Sequence, residues 1–144
     1  GGIIGGGKEE FNLKNLARKL DILDSLIFTG FIEDQSEMIY LYNLMDIFWL
    51  ATKSEGQGLV YSEANLMNVP VIGSDIEPVR SMIGEGGILC DPNDELMFAN
   101  SVLNLINDSH LRSHYKSVGY KHAAKISQNN FHEKLEVYQL FLGR

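Results

Sequence analysis

The chain has few of the residues that mark several functional classes. It contains one cysteine, one tryptophan and three prolines among 144 residues. A single cysteine excludes an internal disulfide. Cys90 sits in the apolar run Gly87-Ile88-Leu89-Cys90, so a buried, reduced and inert thiol is expected. Basic residues are scarce: 12 Lys and Arg face 19 Asp and Glu, for a formal charge of −7. With no local basic cluster, this argues against non-specific nucleic-acid binding, which needs a positive surface. No apolar run approaches the ~20 residues of a membrane-spanning helix, and no signal-peptide pattern opens the sequence. A cytoplasmic setting is therefore expected. The first residues, Gly2-Ile3-Ile4-Gly5-Gly6-Gly7, read as the tail of a strand entering a glycine turn, so the chain is expected to be a fragment of a longer protein.

What is present is regular alternation. Composition is that of a globular domain, 44% hydrophobic and 22% charged, and the length suits one domain spanning 1–144. Leu13, Leu16, Ala17 and Leu20 recur at helical spacing, predicting a helix over 8–22. A short strand closed by Gly30 is expected over 26–29. Asp34-Gln35-Ser36-Glu37 has the form of a capping box opening a helix to Leu44. The run 46–51 is apolar almost throughout, as in a parallel strand covered on both faces. A helix over 59–66 follows, with Asn68 at a position where Asn tolerates left-handed backbone. Pro70 begins a strand over 70–73 and Pro78 a short helix over 78–83. A strand over 87–90, the turn at Pro92, and helices over 95–106, 111–126 and 132–142 complete the chain. Strands alternating with helices over short connections indicate an α/β fold, a Rossmann-like parallel sheet with helices on both faces.

The segment Ser54-Glu55-Gly56-Gln57-Gly58-Leu59-Val60-Tyr61-Ser62-Glu63 concentrates the chemistry. It follows a strand, and ligands bind beyond the carboxyl ends of strands in open parallel sheets. Gly56 and Gly58 let backbone approach a ligand closely. A helix beginning near Gly58 presents free N–H groups to an anion. Glu63 lies about 7–8 Å further along that helix, roughly the span of a diphosphate. A carboxylate repels phosphate, so each Glu is better suited to accept hydrogen bonds from neutral hydroxyls at the two ends. On spacing alone, an exposed loop Glu55 and an exposed helix Glu63 explain the pattern better than a site does, because short patterns recur by chance.

Other candidates are weaker. Gly2 to Lys8 satisfies G-x4-G-K, but Glu9 stands where a P-loop needs Ser or Thr. Glu10 occupies the third glycine position of a dinucleotide fingerprint. His110 and His114, four apart on a helix, lack a third ligand nearby, so no metal site is expected. Tyr40, Tyr42, Phe48 and Trp49 are expected to fill core rather than stack on a base or sugar.

The stretch Glu55 to Ala64 resembles the E-x7-E motif of retaining glycosyltransferases with the GT-B fold, in particular family 4 (glycosyl transferases group 1). The likeness extends to Ile3-Ile4-Gly5-Gly6-Gly7, Phe28-Thr29-Gly30-Phe31-Ile32, Leu41-Tyr42-Asn43 with Asp46, Val69 to Asp75, and Gly86 to Pro92 with Asp94. These motifs run in the family's order and cover nearly the whole chain. The resemblance implies the C-terminal, donor-binding half of such an enzyme. Glu55 would be the catalytic-site residue at the donor sugar hydroxyls, and Glu63 would hold the ribose. The amides of Gln57, Gly58 and Leu59, with Gly56 beside them, would face the diphosphate or sugar. Gly6 and Gly7 would line the nucleotide pocket, and backbone near Ile32 would pair with the base. The substrate would be a nucleoside-diphosphate sugar, with no cofactor and no metal. Gln57, Asn68 and Ser81 replace the family's usual Phe, Gly and Glu.

The family's first strand, with the Gly-Arg turn and Lys-Gly that bind the diphosphate, is absent from this sequence, as is the acceptor-binding N-terminal domain. A break in strand pairing is thus expected between the strand ending at Ile4 and that over 46–51, and the 144-residue chain alone is expected not to catalyse transfer. Nothing in the sequence bars the intact enzyme from peripheral association with a membrane. Two other readings stay open: a glycosidase or phosphorylase using Glu55 and Glu63 as a carboxylate pair, and a non-catalytic nucleotide-sugar-binding or regulatory module.

Overall fold

The computed structural model describes residues 1–130, so the helix expected over 132–142 lies outside the described residues. The chain divides into two compact units, Gly1–Met38 and Ile39–Arg144.

In the first unit, β1 (Gly2–Ile3) pairs in parallel with β2 (Ile27–Phe28), joined by α1 (Glu10–Lys19) and a 3-10 turn at Leu23–Ser25. Gly5 N donates to Gly30 O at 3.0 Å, and both glycines take positive φ, 113° and 70°, which L side chains avoid. The helix α1 forms where periodicity predicts it, but its apolar stripe is not covered as expected. Only Ala17 is buried, while Leu13, Leu16 and Leu20 are exposed. Two strands of two residues offer too little sheet to cover a three-turn helix. The helix α2 (Gln35–Leu44) starts in this unit. Asp34 caps it by accepting from Ser36 N at 2.7 Å, and the Ser36 hydroxyl and the Ser36 and Glu37 amides hold the Asp34 carboxyl below its ordinary range.

In the second unit, β3 (Phe48–Leu50), β4 (Val71–Ser74) and β5 (Gly87–Cys90) form a parallel sheet with β4 central. Phe48 pairs with Val71 and Ser74 with Cys90. Pro70 has no N–H to give, yet its carbonyl accepts from Phe48 N at 3.0 Å, so the ladder begins one residue before β4. Among the described residues the ladders are β1–β2 in the first unit and β3–β4–β5 in the second.

Successive residues of β4 serve opposite faces. Ile72 packs with Cys90, Phe98 and Leu105 of α5 (Glu95–Asn107). Gly73 faces the other way, where an added Cβ would stand 2.6 Å from Ile83, 2.8 Å from Tyr61 and 2.8 Å from Val79. These three belong to α3 (Leu59–Leu66) and α4 (Val79–Ile83). The sheet therefore carries helices on both faces, as expected. Cys90 is buried and lies 3.4 Å from the Ser101 hydroxyl. The long helix α6 (Ser109–Asn130) packs on α3, α4 and α5, where Gly86 and Gly119 allow backbones to meet.

The strand β3 corrects an expectation. Trp49 is 54% exposed and Leu50 36%, although the run was expected to be covered on both faces. The strand is the sheet's edge, and α5 reaches only part of its outer side. Trp49 instead lines a groove of about 490 Å³ with Ala51, Pro92, Phe98 and Leu103. Tyr40, expected in the core, is likewise exposed, whereas Tyr42 is fully buried.

Candidate functional site

Glu55, Gly56, Gln57, Gly58, Leu59 and Glu63 form one continuous piece of the second unit at the carboxyl end of β3. The loop entering it is tied to the sheet. Thr52 N donates to the Oγ of Ser74, a buried residue ending β4, at 2.9 Å. The Thr52 hydroxyl donates to Ser54 O at 2.6 Å and accepts from Ser54 N at 3.2 Å.

Gly58 is the N-cap of α3 in left-handed backbone, φ 69° and ψ 25°. Its position is also close-packed, since a Cβ would meet Met82 at 3.3 Å and Tyr61 at 3.4 Å. Glycine is therefore favoured by the turn, with little spare room for a side chain beside it. The helix starts where the sequence predicts, and its first amides have no acceptor within the helix. It ends as predicted too, with Asn68 at φ 59° donating its N–H to Asn65 O at 3.0 Å.

The two carboxylates are held differently. Glu55 is half-buried, and its Oε1 accepts from Gly56 N at 2.8 Å. Glu63, half-buried on α3, accepts at Oε2 from the hydroxyl of the fully buried Tyr42 at 3.2 Å. Tyr42 meets Phe48 edge-on at 6.1 Å between ring centres, and Phe48 meets Tyr61 edge-on at 5.7 Å. The Tyr61 hydroxyl donates to Leu50 O at 2.9 Å. Burial, reinforced by the nearby Glu55 charge and opposed by the Ser74 backbone, pushes the Tyr61 phenol up to about 12, so it remains a donor at neutral pH. A row of three rings thus fastens the end of β3 at one side and Glu63 at the other. The basic Arg80 on α4 is paired with Asp75, whose carboxyl that bond holds below its ordinary range.

Gly6, Gly7 and Ile32 belong to the first unit. Gly6 and Gly7 line a cavity of about 240 Å³ with Ile4, Glu10, Leu13 and Phe28, and a Cβ at Gly6 would stand 3.2 Å from Phe31 N. Among the described residues no group of three His, Cys, Asp or Glu converges as metal ligands do, and no helix is long and apolar enough to cross a membrane.

Sequence inspection missed Tyr42, Tyr61 and Ser74 as supports of the site. The usable signal was the polar tip on a buried aromatic, which needs a hydrogen-bond partner. It does not name the partner.

Known proteins supply the chemical context. The model of the family glycosyl transferases group 1 matches residues 2–122. An uncharacterized glycosyltransferase of Haemophilus influenzae is 35% identical over 112 residues, covering 76% of this chain and 31% of its own length. The chain therefore spans about a third of that relative. Among solved structures, the C-terminal domain of a glycosyl transferase group 1 family protein from Francisella tularensis superposes with a TM-score of 0.73 at 29% identity, over 81% of this chain and 60% of that one. The pneumococcal O-GlcNAc transferase GtfA, solved with UDP and GlcNAc, shares the fold at a TM-score of 0.74 and 20% identity, over 95% of this chain and 29% of that one.

Proposed function

The chain belongs to the glycosyl transferases group 1 family, and from that membership we propose that it is the donor-binding domain of a retaining glycosyltransferase. The intact enzyme would move a sugar from a nucleoside-diphosphate sugar to a hydroxyl acceptor in glycan or polysaccharide synthesis. The observation that carries this is the unit at the end of β3, where a left-handed Gly58 launches α3 and one carboxylate stands at each end.

The roles are those that the family resemblance implies, and charge agrees with them. The amides of Gly58 and Leu59, at the positive end of the α3 dipole, receive the diphosphate, with Gly56 and Gln57 lining the approach. As the sugar–phosphate bond breaks, negative charge grows on the leaving diphosphate, and amides already in place stabilise it without reorganisation. Glu55 accepts from donor-sugar hydroxyls and Glu63 from ribose hydroxyls. Gly6, Gly7 and the backbone of Ile32 serve the nucleotide. No resident metal takes part in this scheme, and the enzyme works in the cytoplasm. The fold neighbour solved with UDP and GlcNAc is compatible with such a donor.

The test is titration of the intact polypeptide with uridine, adenosine and guanosine diphosphates. One of them is expected to bind and to be displaced by its sugar conjugate. Failure of all three to bind contradicts the donor-site reading.

A further inference from the structure

The hydrogen bond between Tyr42 and Glu63 spans 21 positions of sequence. It joins α2 to α3 across Phe48 of β3. Tyr42 is fully buried, so its ring has no room to swing, and the contact with Phe48 sets the direction of its hydroxyl. A phenol at neutral pH donates one hydrogen bond, whereas a carboxylate has two oxygens with about four acceptor sites. A donor held in place on Oε2 constrains the plane of the Glu63 carboxylate, whose acceptor sites outnumber that one bond. Ordering a Glu side chain costs rotamer entropy. A carboxylate ordered before the ligand arrives spares the ligand that cost.

We propose that Tyr42 is a positioning residue for nucleotide recognition: its hydroxyl aims the Glu63 carboxylate at the ribose diol, so that preference for ribose over 2′-deoxyribose depends on a residue that does not touch the nucleotide. This rests on the assignment of Glu63 to the ribose in the proposed function.

Affinity for the tightest-binding nucleoside diphosphate and for its 2′-deoxy counterpart is measured in the intact polypeptide and in two variants. The unmodified protein is expected to prefer the ribose form by about tenfold, the value of one hydrogen bond to a charged group. Glu63→Ala is expected to abolish the preference, and Tyr42→Phe to cut it to about threefold or less. A role for Tyr42 in packing alone would lower thermal stability and leave the ratio intact. If Glu63→Ala abolishes the preference while Tyr42→Phe keeps it whole, the positioning role is overturned and the ribose assignment stands. If Glu63→Ala keeps the preference, the ribose assignment fails and takes this inference with it. Should Tyr42→Phe not fold, para-fluorophenylalanine at position 42 fills the hydroxyl's volume without donating and is read by the same ratio.

Discussion

Glu55→Gln in the intact enzyme is expected to lower kcat/KM for the sugar donor by about 100-fold, or ~2.7 kcal/mol of transition-state stabilisation. The substitution keeps the side chain's shape and removes its charge. Hydrogen bonds to charged groups contribute about 1.5–3 kcal/mol, and those to sugar hydroxyls strengthen as positive charge develops on the ring in an oxocarbenium-like transition state. Glu55 lies on the loop side of Gly58, away from Glu63 on the helix. Its loss should therefore leave affinity for the free nucleoside diphosphate within about twofold. Steady-state kinetics and nucleotide titration on the same preparation check both halves. Equal losses in turnover and nucleotide affinity would contradict the assignment of Glu55 to the sugar. A pH–rate profile governed by a carboxylic acid near neutrality would instead favour the carboxylate-pair hydrolase.

Gly86→Ala is expected to destabilise the second unit strongly. The new Cβ would stand 2.4 Å from Gly119 Cα, 3.0 Å from Gly119 N and 3.0 Å from Ile83 O. All three are backbone atoms, so no rotamer relieves the clash, and α6 must move away from the helices it packs on. Overpacking of this kind costs about 1–3 kcal/mol and occasionally more. For a domain of this size a loss of ~3 kcal/mol lowers Tm by roughly 10 °C. Gly56→Ala makes a sharp control, since its Cβ would meet nothing within 4 Å; its effect should fall within about 0.5 kcal/mol. Thermal melts of the two variants side by side decide this. Equal melting temperatures would mean that the α6 packing does not hold the unit together. Because α6 also braces α3, Gly86→Ala should weaken nucleotide binding as well.

Local chemistry was legible in the sequence and long-range partnership was not. Asn68 announced the end of α3 because it is suited to a left-handed backbone, which it adopts; the start near Gly58 was legible too, though not that Gly58 itself is left-handed. Asp34 announced α2 because a short acidic side chain reaches the first amides of a helix, and Asp94 does the same for α5 by accepting from Met97 N at 2.9 Å. Periodicity placed α1 but could not say whether a surface exists to bury Leu13, Leu16 and Leu20. Apolar composition placed β3 but not its edge position, so Trp49 and Leu50 were expected under cover. The α6 helix runs through Asn130, past the expected end at 126, because nothing in that stretch stops a helix. In the site, glycine spacing and the two glutamates were readable at a distance of eight residues. The Tyr42–Glu63 bond was not, because a hydrogen bond across 21 residues exists only once α2, β3 and α3 have packed.

The most direct test of the account is a crystal structure of the intact polypeptide with its preferred nucleoside diphosphate. The diphosphate is predicted on the amides of Gly58 and Leu59, with a ribose hydroxyl within hydrogen-bond distance of the Glu63 carboxylate. A nucleotide seated instead in the apolar groove between Trp49 and Phe98, or held with its ribose away from Glu63, would contradict it.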